Sequence, residues 1–354
     1  DGSNNFTEQT ISTNADGARK VFATDVDGDG DADVLSASKE DNKIALHLND
    51  GSNNFTEQTI STNANGPNSV FAADVDSDGD VDVLSASGNE IALYLNDGSN
   101  NFTEQTISTN PNGATSVFAA DVDSDGDLDV LSSSWHDKKI ALYLNDGSNN
   151  FTEQTISTNA NGARSVFAAD MDGDGDVDVL SASRNDNKIA LHLNDGSNNF
   201  TEQTISTNAN GPNSVFAADV DSDGDVDVLS ASGNEIALYL NDGSNNFTEQ
   251  TISTNPNGAT SVFAADVDSD GDLDVLSSSW HDKKIALYLN DGSNNFTEQT
   301  ISTNANGARS VFAADMDGDG DVDVLSASRN DNKIALHLND GSNNFTEQTI
   351  STNA

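Results

Sequence analysis

Five aspartates within nine residues, in the order Asp-x-Asp-x-Asp-Gly-Asp-x-Asp, recur seven times along this 354-residue chain. The first copies are Asp25, Asp27, Asp29, Asp31 and Asp33; Asp74, Asp76, Asp78, Asp80 and Asp82; and Asp121, Asp123, Asp125, Asp127 and Asp129. A middle copy is Asp170, Asp172, Asp174, Asp176 and Asp178. The last three are Asp219, Asp221, Asp223, Asp225 and Asp227; Asp266, Asp268, Asp270, Asp272 and Asp274; and Asp315, Asp317, Asp319, Asp321 and Asp323. Carboxylates packed this closely repel one another, each close pair by about 1 kcal/mol even in water. A divalent cation relieves that repulsion. Calcium takes six to eight oxygens, and a short loop with Asp at positions 1, 3, 5 and 9 around a Gly at position 6 can wrap one ion. In the first copy Asp25, Asp27, Asp29 and Asp33 supply carboxylates, Gly30 permits the sharp turn, and Asp31 at position 7 offers its backbone carbonyl. Magnesium, which demands tighter octahedral geometry and several waters, is the weaker candidate. An acidic turn with no ion is the bland alternative, and seven identical placements weigh against it. A helix-loop-helix calcium site would need a Glu at position 12, where this chain has Ser36.

The elements that position these loops follow from the repeat. Successive copies start 47 or 49 residues apart, and residues 50–194 and 195–339 are identical in sequence. Each period holds four strand-like runs and no helical one, here labelled A to D. In the second unit A is SVFAAD (69–74), B is VDVLSAS (81–87), C is EIALYLN (90–96) and D is FTEQTIST (102–109). Strand C alternates, with Ile91, Leu93 and Leu95 on one face and Ala92 and Tyr94 on the other. The Asp loop joins A to B, a short polar loop joins B to C, NDGSNN joins C to D, and an Asn-x-Asn-Gly type of turn leads to the next A. Four antiparallel strands per period, seven times over, predict an all-β, seven-bladed β-propeller with a calcium loop between strands A and B of each blade. Blades are expected at about 17–62, 66–109, 113–158, 162–207, 211–254, 258–303 and 307–352, all one domain spanning 1–354. A right-handed β-helix is the runner-up, but its coils are shorter and usually lack hairpin turns. All 15 Phe fall at two repeat positions, in VFA of strand A and FTEQ of strand D, and read as core between blades.

SVFAADVDSDGDVDVLSAS followed by IALYLNDGSNNFTEQTI resembles the FG-GAP/VCBS repeat of integrin α-subunit propellers, fungal propeller lectins and many bacterial secreted proteins. The resemblance covers all seven units. It implies a seven-bladed ring with calcium in each A-to-B loop. The family hosts adhesion, sugar binding and accessory roles beside polysaccharide-cleaving domains, so the fold alone does not choose among them.

The formal charge of -46 would suit a disordered acidic chain. Its location says otherwise, because 35 of the 60 acidic residues sit in the seven nonapeptides. About seven Ca²⁺ ions are therefore the expected cofactors. With no cysteine in the chain, disulfides and thiolate metal sites are excluded. The longest apolar runs are about five residues, against the roughly 20 needed to span a bilayer as a helix. A chain this acidic is expected to be repelled by nucleic acid and by anionic membranes.

Antiparallel strands send successive loops to alternate ends. The Asp loops and NDGSNN turns therefore share one face of the ring, and the B-to-C and D-to-A loops share the other. The second face carries most of the variation between units and all 14 basic residues, so it is mildly basic and is the expected docking surface for a protein or glycan ligand. Trp135, His136, Trp280 and His281 lie there, and a tryptophan beside polar groups can stack on a sugar ring. An alternative is a loop Trp folded back on its own blade. His47, His192 and His337 take the strand C position that Tyr94 and Tyr143 hold elsewhere, and read as packing residues. No nucleophile-His-Asp arrangement, zinc cluster or phosphate loop stands out, so no catalytic residue is assigned and a non-enzymatic role is expected. The eight Asn-Phe-Thr sequons also serve as turn residues.

DGSNNFTEQTISTNA occurs at both 1–15 and 340–354, so the chain carries eight D-type strands for seven A-B-C sets. Either Phe6–Thr13 or Phe345–Thr352 closes the seventh blade, leaving the other as a surplus outer strand. The expected function is a calcium-stabilised extracellular or cell-surface building block, structural or adhesive. It would self-associate through the surplus strand or by stacking the acidic face on the basic one. The alternatives are a calcium-dependent lectin and an accessory domain of a carbohydrate-active enzyme.

Overall fold

The computed structural model describes residues 9–12, 14–341 and 345–348. Within them the chain forms seven antiparallel sheets arranged as the blades of a propeller. Blade 1 runs A (Ala18–Thr24), B (Asp33–Ser38), C (Lys43–Asn49) and D (Phe55–Ser61), paired in that order. The same order repeats in each later blade, with a single 3-10 turn at Arg184–Asp186 as the one helical element among the described residues.

Strands B and C are buried on both faces, which explains their near-continuous small and apolar sequence, DVLSAS and KIALHLN in blade 1. Strand D is the outer edge, and it exposes Thr56, Glu57 and Thr59. Seven apolar clusters hold the ring together, one at each junction between neighbouring blades. At the junction of blades 1 and 2, Leu35, Ile44 and Leu46 pack against Val70, Val83 and Tyr94. The ring closes through the same kind of contact, with Leu325, Ile334 and Leu336 of blade 7 against Val21 and Val34 of blade 1.

The two Phe positions play different parts. Strand D phenylalanines such as Phe102 pack against the junctions, as the sequence suggests. Strand A phenylalanines also touch the junction clusters, but their rings meet one another around the axis. Phe22, Phe71, Phe118, Phe167, Phe216, Phe263 and Phe312 form a closed circle with neighbouring centroids 4.6–4.9 Å apart. Strand A is the innermost strand of each blade, so side chains that it turns toward the axis meet those of the neighbouring strands A.

Blade 7 departs from the either-or expectation for its outer strand. Its strand C (Lys333–Asn339) pairs with both Gln9–Ser12 and Phe345–Gln348. Each keeps the register of an ordinary strand D: Gln9 and Gln348 both oppose Leu336, as Gln58 opposes Leu46 in blade 1. The first copy covers the end from Ile334 to Leu336, and the last covers Leu336 to Asn339. Two identical sequences compete for one edge, and each obtains part of it. Residues Phe6–Glu8, Thr13 and Thr349–Thr352 of the two expected strands lie outside the described residues.

Candidate metal centres

Each Asp loop begins where strand A ends and finishes at the first residue of strand B. In blade 1 it runs from Asp25 to Asp33, the last of which opens strand B. The tight wrap depends on glycine at position 6: Gly30 has φ +97°, and a Cβ there would meet nothing within 4 Å, so conformation and not space demands the residue. Backbone N–H groups turn inward onto the first carboxylate. Gly28 N–H donates to Asp25 Oδ1 at 2.8 Å and Gly30 N–H to Asp25 Oδ2 at 3.0 Å.

Carboxylate oxygens converge in every one of the first five blades. The oxygens lie within 4.8 Å of one another for Asp25, Asp27 and Asp29; for Asp74, Asp76 and Asp78; and for positions 1, 3 and 9 in Asp121, Asp123 and Asp129. The latter set recurs as Asp170, Asp172 and Asp178, and as Asp219, Asp221 and Asp227. Position 9 also has a structural task. Asp33 is fully buried, and its two oxygens accept N–H groups from Val26 at 3.0 Å and Asn49 at 2.8 Å, tying the loop to the end of strand C. Position 7 turns elsewhere: a Cβ on Gly51 would come within 2.5 Å of Asp31 Oδ2, so this carboxylate leans on the NDGSNN turn of its own blade. That leaves the Asp31 carbonyl, not its side chain, for a loop ligand.

The electrostatics of these groups suit a cation. Burial pushes Asp33 up to about 6, and Asp323 up to about 7, despite the backbone N–H groups that favour their charged forms. Asp27 is also raised, first by desolvation and then by the neighbouring charge of Asp29. At position 3, Asp76 Oδ1 and Asp123 Oδ1 are buried with no hydrogen-bond partner. A hard divalent ion would supply what these oxygens lack, and the all-oxygen donor set fits calcium.

A residue that sequence reasoning passed over links the loops around the ring. Asn49, at the end of strand C, donates through Nδ2 to Ala32 O at 3.2 Å in its own Asp loop and to Met316 O at 2.9 Å in the loop of blade 7. Asn194 does the same with Val177 O and Val122 O, and Asn339 with Val322 O and Val267 O. Its signal was present, since Asn stands at this point of all seven repeats, but as part of NDGSNN it looks like turn chemistry.

On the other face the tryptophans meet the next blade. Arg164 lies over the Trp135 ring at 4.1 Å and Arg309 over Trp280 at 3.9 Å. Both indoles are half-buried, and His136 and His281 beside them are exposed. His47 and His192 are buried where other blades have Tyr, each with Nε2 3.0 Å from a serine Oγ, Ser36 and Ser181 respectively. Burial depresses both histidines to about 4.

The FG-GAP-like repeat family matches residues 25–85, 74–132, 121–181, 170–230, 219–277, 275–326 and 315–354. This chain belongs to the FG-GAP-like repeat family. Each match to the FG-GAP-like repeat includes an Asp loop, so the family's unit and the candidate centre coincide along nearly the whole chain. No curated protein matches it significantly. Among solved structures, this FG-GAP-like ring is similar to an Agrocybe aegerita lectin described as recognising non-reducing terminal N-acetylglucosamine, with TM-score 0.62, 18% identity and 92% of each chain covered. A protein from Lactobacillus plantarum gives TM-score 0.65 at 14% identity, covering 90% of this chain and 91% of that one. BBS1N, solved in complex with ARL6DN, gives 0.61 at 12% identity, covering 97% and 96%. At these identities the likeness is one of fold. No helix among the described residues is long and apolar enough to cross a membrane.

Proposed function

We propose that this FG-GAP-like propeller is a calcium-stabilised, non-catalytic building block that joins copies of itself by exchanging an outer strand, and that it works outside the cell or on its surface. The observation that carries the assembly reading is the double occupancy of one edge. Strand C of blade 7 offers room for one outer strand, and two segments of identical sequence each pair with part of it. In a pair of molecules, one copy's segment can run the full length of its neighbour's edge, which the described residues of the two segments divide between them within one ring. The calcium reading rests on the converging carboxylates, which a cation at extracellular concentration would hold together. Weak oxygen sites of extracellular modules bind calcium at about 10⁻⁴ to 10⁻³ M.

The test compares the full chain with one lacking residues 1–15, in calcium, by molar mass in solution and by electron microscopy. The full chain should form linked rings whose mass grows with concentration, and the shortened chain should stay a closed monomer. Assemblies that persist unchanged without residues 1–15 would refute strand exchange and leave stacking of the acidic face on the basic one as the association route.

A second reading, a carbohydrate-binding protein, is supported by the likeness to the Agrocybe aegerita lectin. Here the face of each tryptophan next to Arg164 or Arg309 is already taken by a guanidinium. Binding on a glycan array that disappears in Trp135→Ala/Trp280→Ala would favour it over the scaffold.

A further inference from the structure

The axis of the ring holds a second concentration of charge, opposite in sign to the Asp loops. A cavity of about 170 Å³ lies where the seven strands A face one another, with the phenylalanine circle at the end nearer the Asp loops. Arg19, Lys20, Arg164 and Arg309 line it, in the company of serine, threonine and asparagine, and no Asp or Glu does. The three arginine Nε atoms are buried without a hydrogen-bond partner. The one carboxylate that acts on Arg19, Glu40, is bound 2.5 Å from Arg329 on the outer loops.

Valines and the phenylalanine circle supply the apolar part of the lining, and its polar part consists of groups that can donate. In six blades a serine occupies the position of Lys20, and it accepts an N–H from the next blade: Val166 N donates to Ser116 Oγ and Val215 N to Ser165 Oγ, each at 3.4 Å. Each such hydroxyl keeps its own proton to donate. Lys20 breaks the series and adds an ammonium. Above it, the guanidinium carbons of Arg164 and Arg309 lie over the rings of Trp135 and Trp280, at 4.1 and 3.9 Å from their centroids, which restrains both side chains beside the cavity. Desolvation and, among the arginines, mutual repulsion push Lys20 down to about 8 and Arg309 to about 9. Four cationic side chains and a ring of hydroxyls, with no carboxylate in the lining, match the needs of an oxyanion.

We propose that this axial cavity binds a small divalent oxyanion group, of the sulfate or dicarboxylate kind, through Arg19, Lys20, Arg164 and Arg309. The site is independent of the strand exchange and of the calcium loops. It gives the symmetric ring one asymmetric recognition point, because only three of seven blades supply arginine and only one supplies lysine.

Calorimetric titration with sodium sulfate, in calcium buffer and at ionic strength matched with chloride, tests it. The expected result is saturable binding of one sulfate per chain. The repeats themselves provide conservative variants: Lys20→Ser and Arg164→Thr/Arg309→Thr install the residues that other blades carry at those positions. The triple variant should lose affinity by about tenfold or more, with its melting temperature in calcium little changed. Lys139→Ala/Lys188→Ala/Lys284→Ala removes the same formal charge from outer ion pairs with Glu153, Glu202 and Glu298 and should bind sulfate as the parent does. A parallel titration with glucose 6-sulfate separates the sources: comparable affinity means the cavity admits an oxyanion carried on a sugar, and binding of free sulfate alone means a free ion. Absence of saturable binding, or equal loss in the outer-lysine control, would overturn the proposal.

Discussion

Gln9 and Gln348 oppose the same residue, Leu336, although they stand at opposite ends of the chain. In blade 4 one unbroken strand, Phe200–Ser206, covers strand C from Ile189 to Asn194. In blade 7 the described residues of the two copies divide the same length of strand C, Gln9–Ser12 at one end and Phe345–Gln348 at the other. A strand held by a few pairs frays at low cost. In the dilute monomer, the amides of Ile334–Leu338 that face the outer strand should therefore exchange with solvent at least about tenfold faster than those of Ile189–Leu193. Removing residues 1–15 frees the whole edge for the last strand and should bring the two sets together. Equal protection in the full-length monomer would mean that the shared edge is as firm as an ordinary one.

Positions 5 and 9 of the Asp loop separate metal binding from loop architecture. Asp125 is exposed, whereas Asp129 is buried and accepts N–H groups from Val122 at 3.0 Å and Asn145 at 2.8 Å. Asp125→Asn should leave stability in excess chelator within about 0.5 kcal/mol of the parent and should remove one site's share of the calcium effect. Asp129→Asn sets an amide N–H₂ against a backbone donor and should cost about 1–3 kcal/mol with or without calcium. Chemical denaturation in calcium and in chelator distinguishes the two, and identical behaviour of the variants would show that position 9 has no separate structural task.

The buried histidines give the ring an acid limit that does not depend on metal. Burial holds His192 at about 4 in the folded protein, outweighing the favourable charge of Glu202, against an ordinary 6.5. The unfolded chain takes up this proton below about pH 6.5 and the folded one does not. Stability is thus fully present above 6.5 and falls as pH drops towards 4, by roughly 3 kcal/mol for the one group at the low end. His192→Tyr installs the residue found at Tyr143 and Tyr239 and should flatten this part of the profile. The measurement is the difference in melting temperature between variant and parent from pH 7 to 4, in chelator, where carboxylate titration is common to both. A difference that stays constant with pH would contradict the assignment.

The strands, their order and the Asp loops were legible because each is written into a period of fewer than 50 residues and written seven times. Strand C of the second unit, Glu90–Asn96, has the bounds its alternation predicts. What was not legible depends on geometry between blades. Phe22 and Phe71 lie 49 residues apart in sequence, and nothing local says that their rings turn to the axis and touch at 4.9 Å. The contact of Arg309 with Trp280 joins the A strand of one blade to the B-to-C loop of another; the pair recurs as Arg164 and Trp135, but the repeat shows only where the residues stand and not that they meet. The Asn49 bond to Met316 spans the ring closure itself, so it appears only once the circle is formed. The shared edge in blade 7 escaped for a different reason: the duplication was visible, but sequence alone offered a choice of one strand or the other and not a division between them.

Calcium held in the seven Asp loops is proposed to stabilise the ring. At calcium about tenfold above the dissociation constant each site adds roughly 1.4 kcal/mol, and seven together about 10 kcal/mol, as much as the whole stability of an ordinary domain. The most direct measurement is a calcium titration of the metal-free protein by calorimetry, which counts the ions. About seven calcium ions per chain are expected, with dissociation constants at or below about 10⁻³ M. A chain that takes up no calcium in that range would rule out calcium sites in the Asp loops.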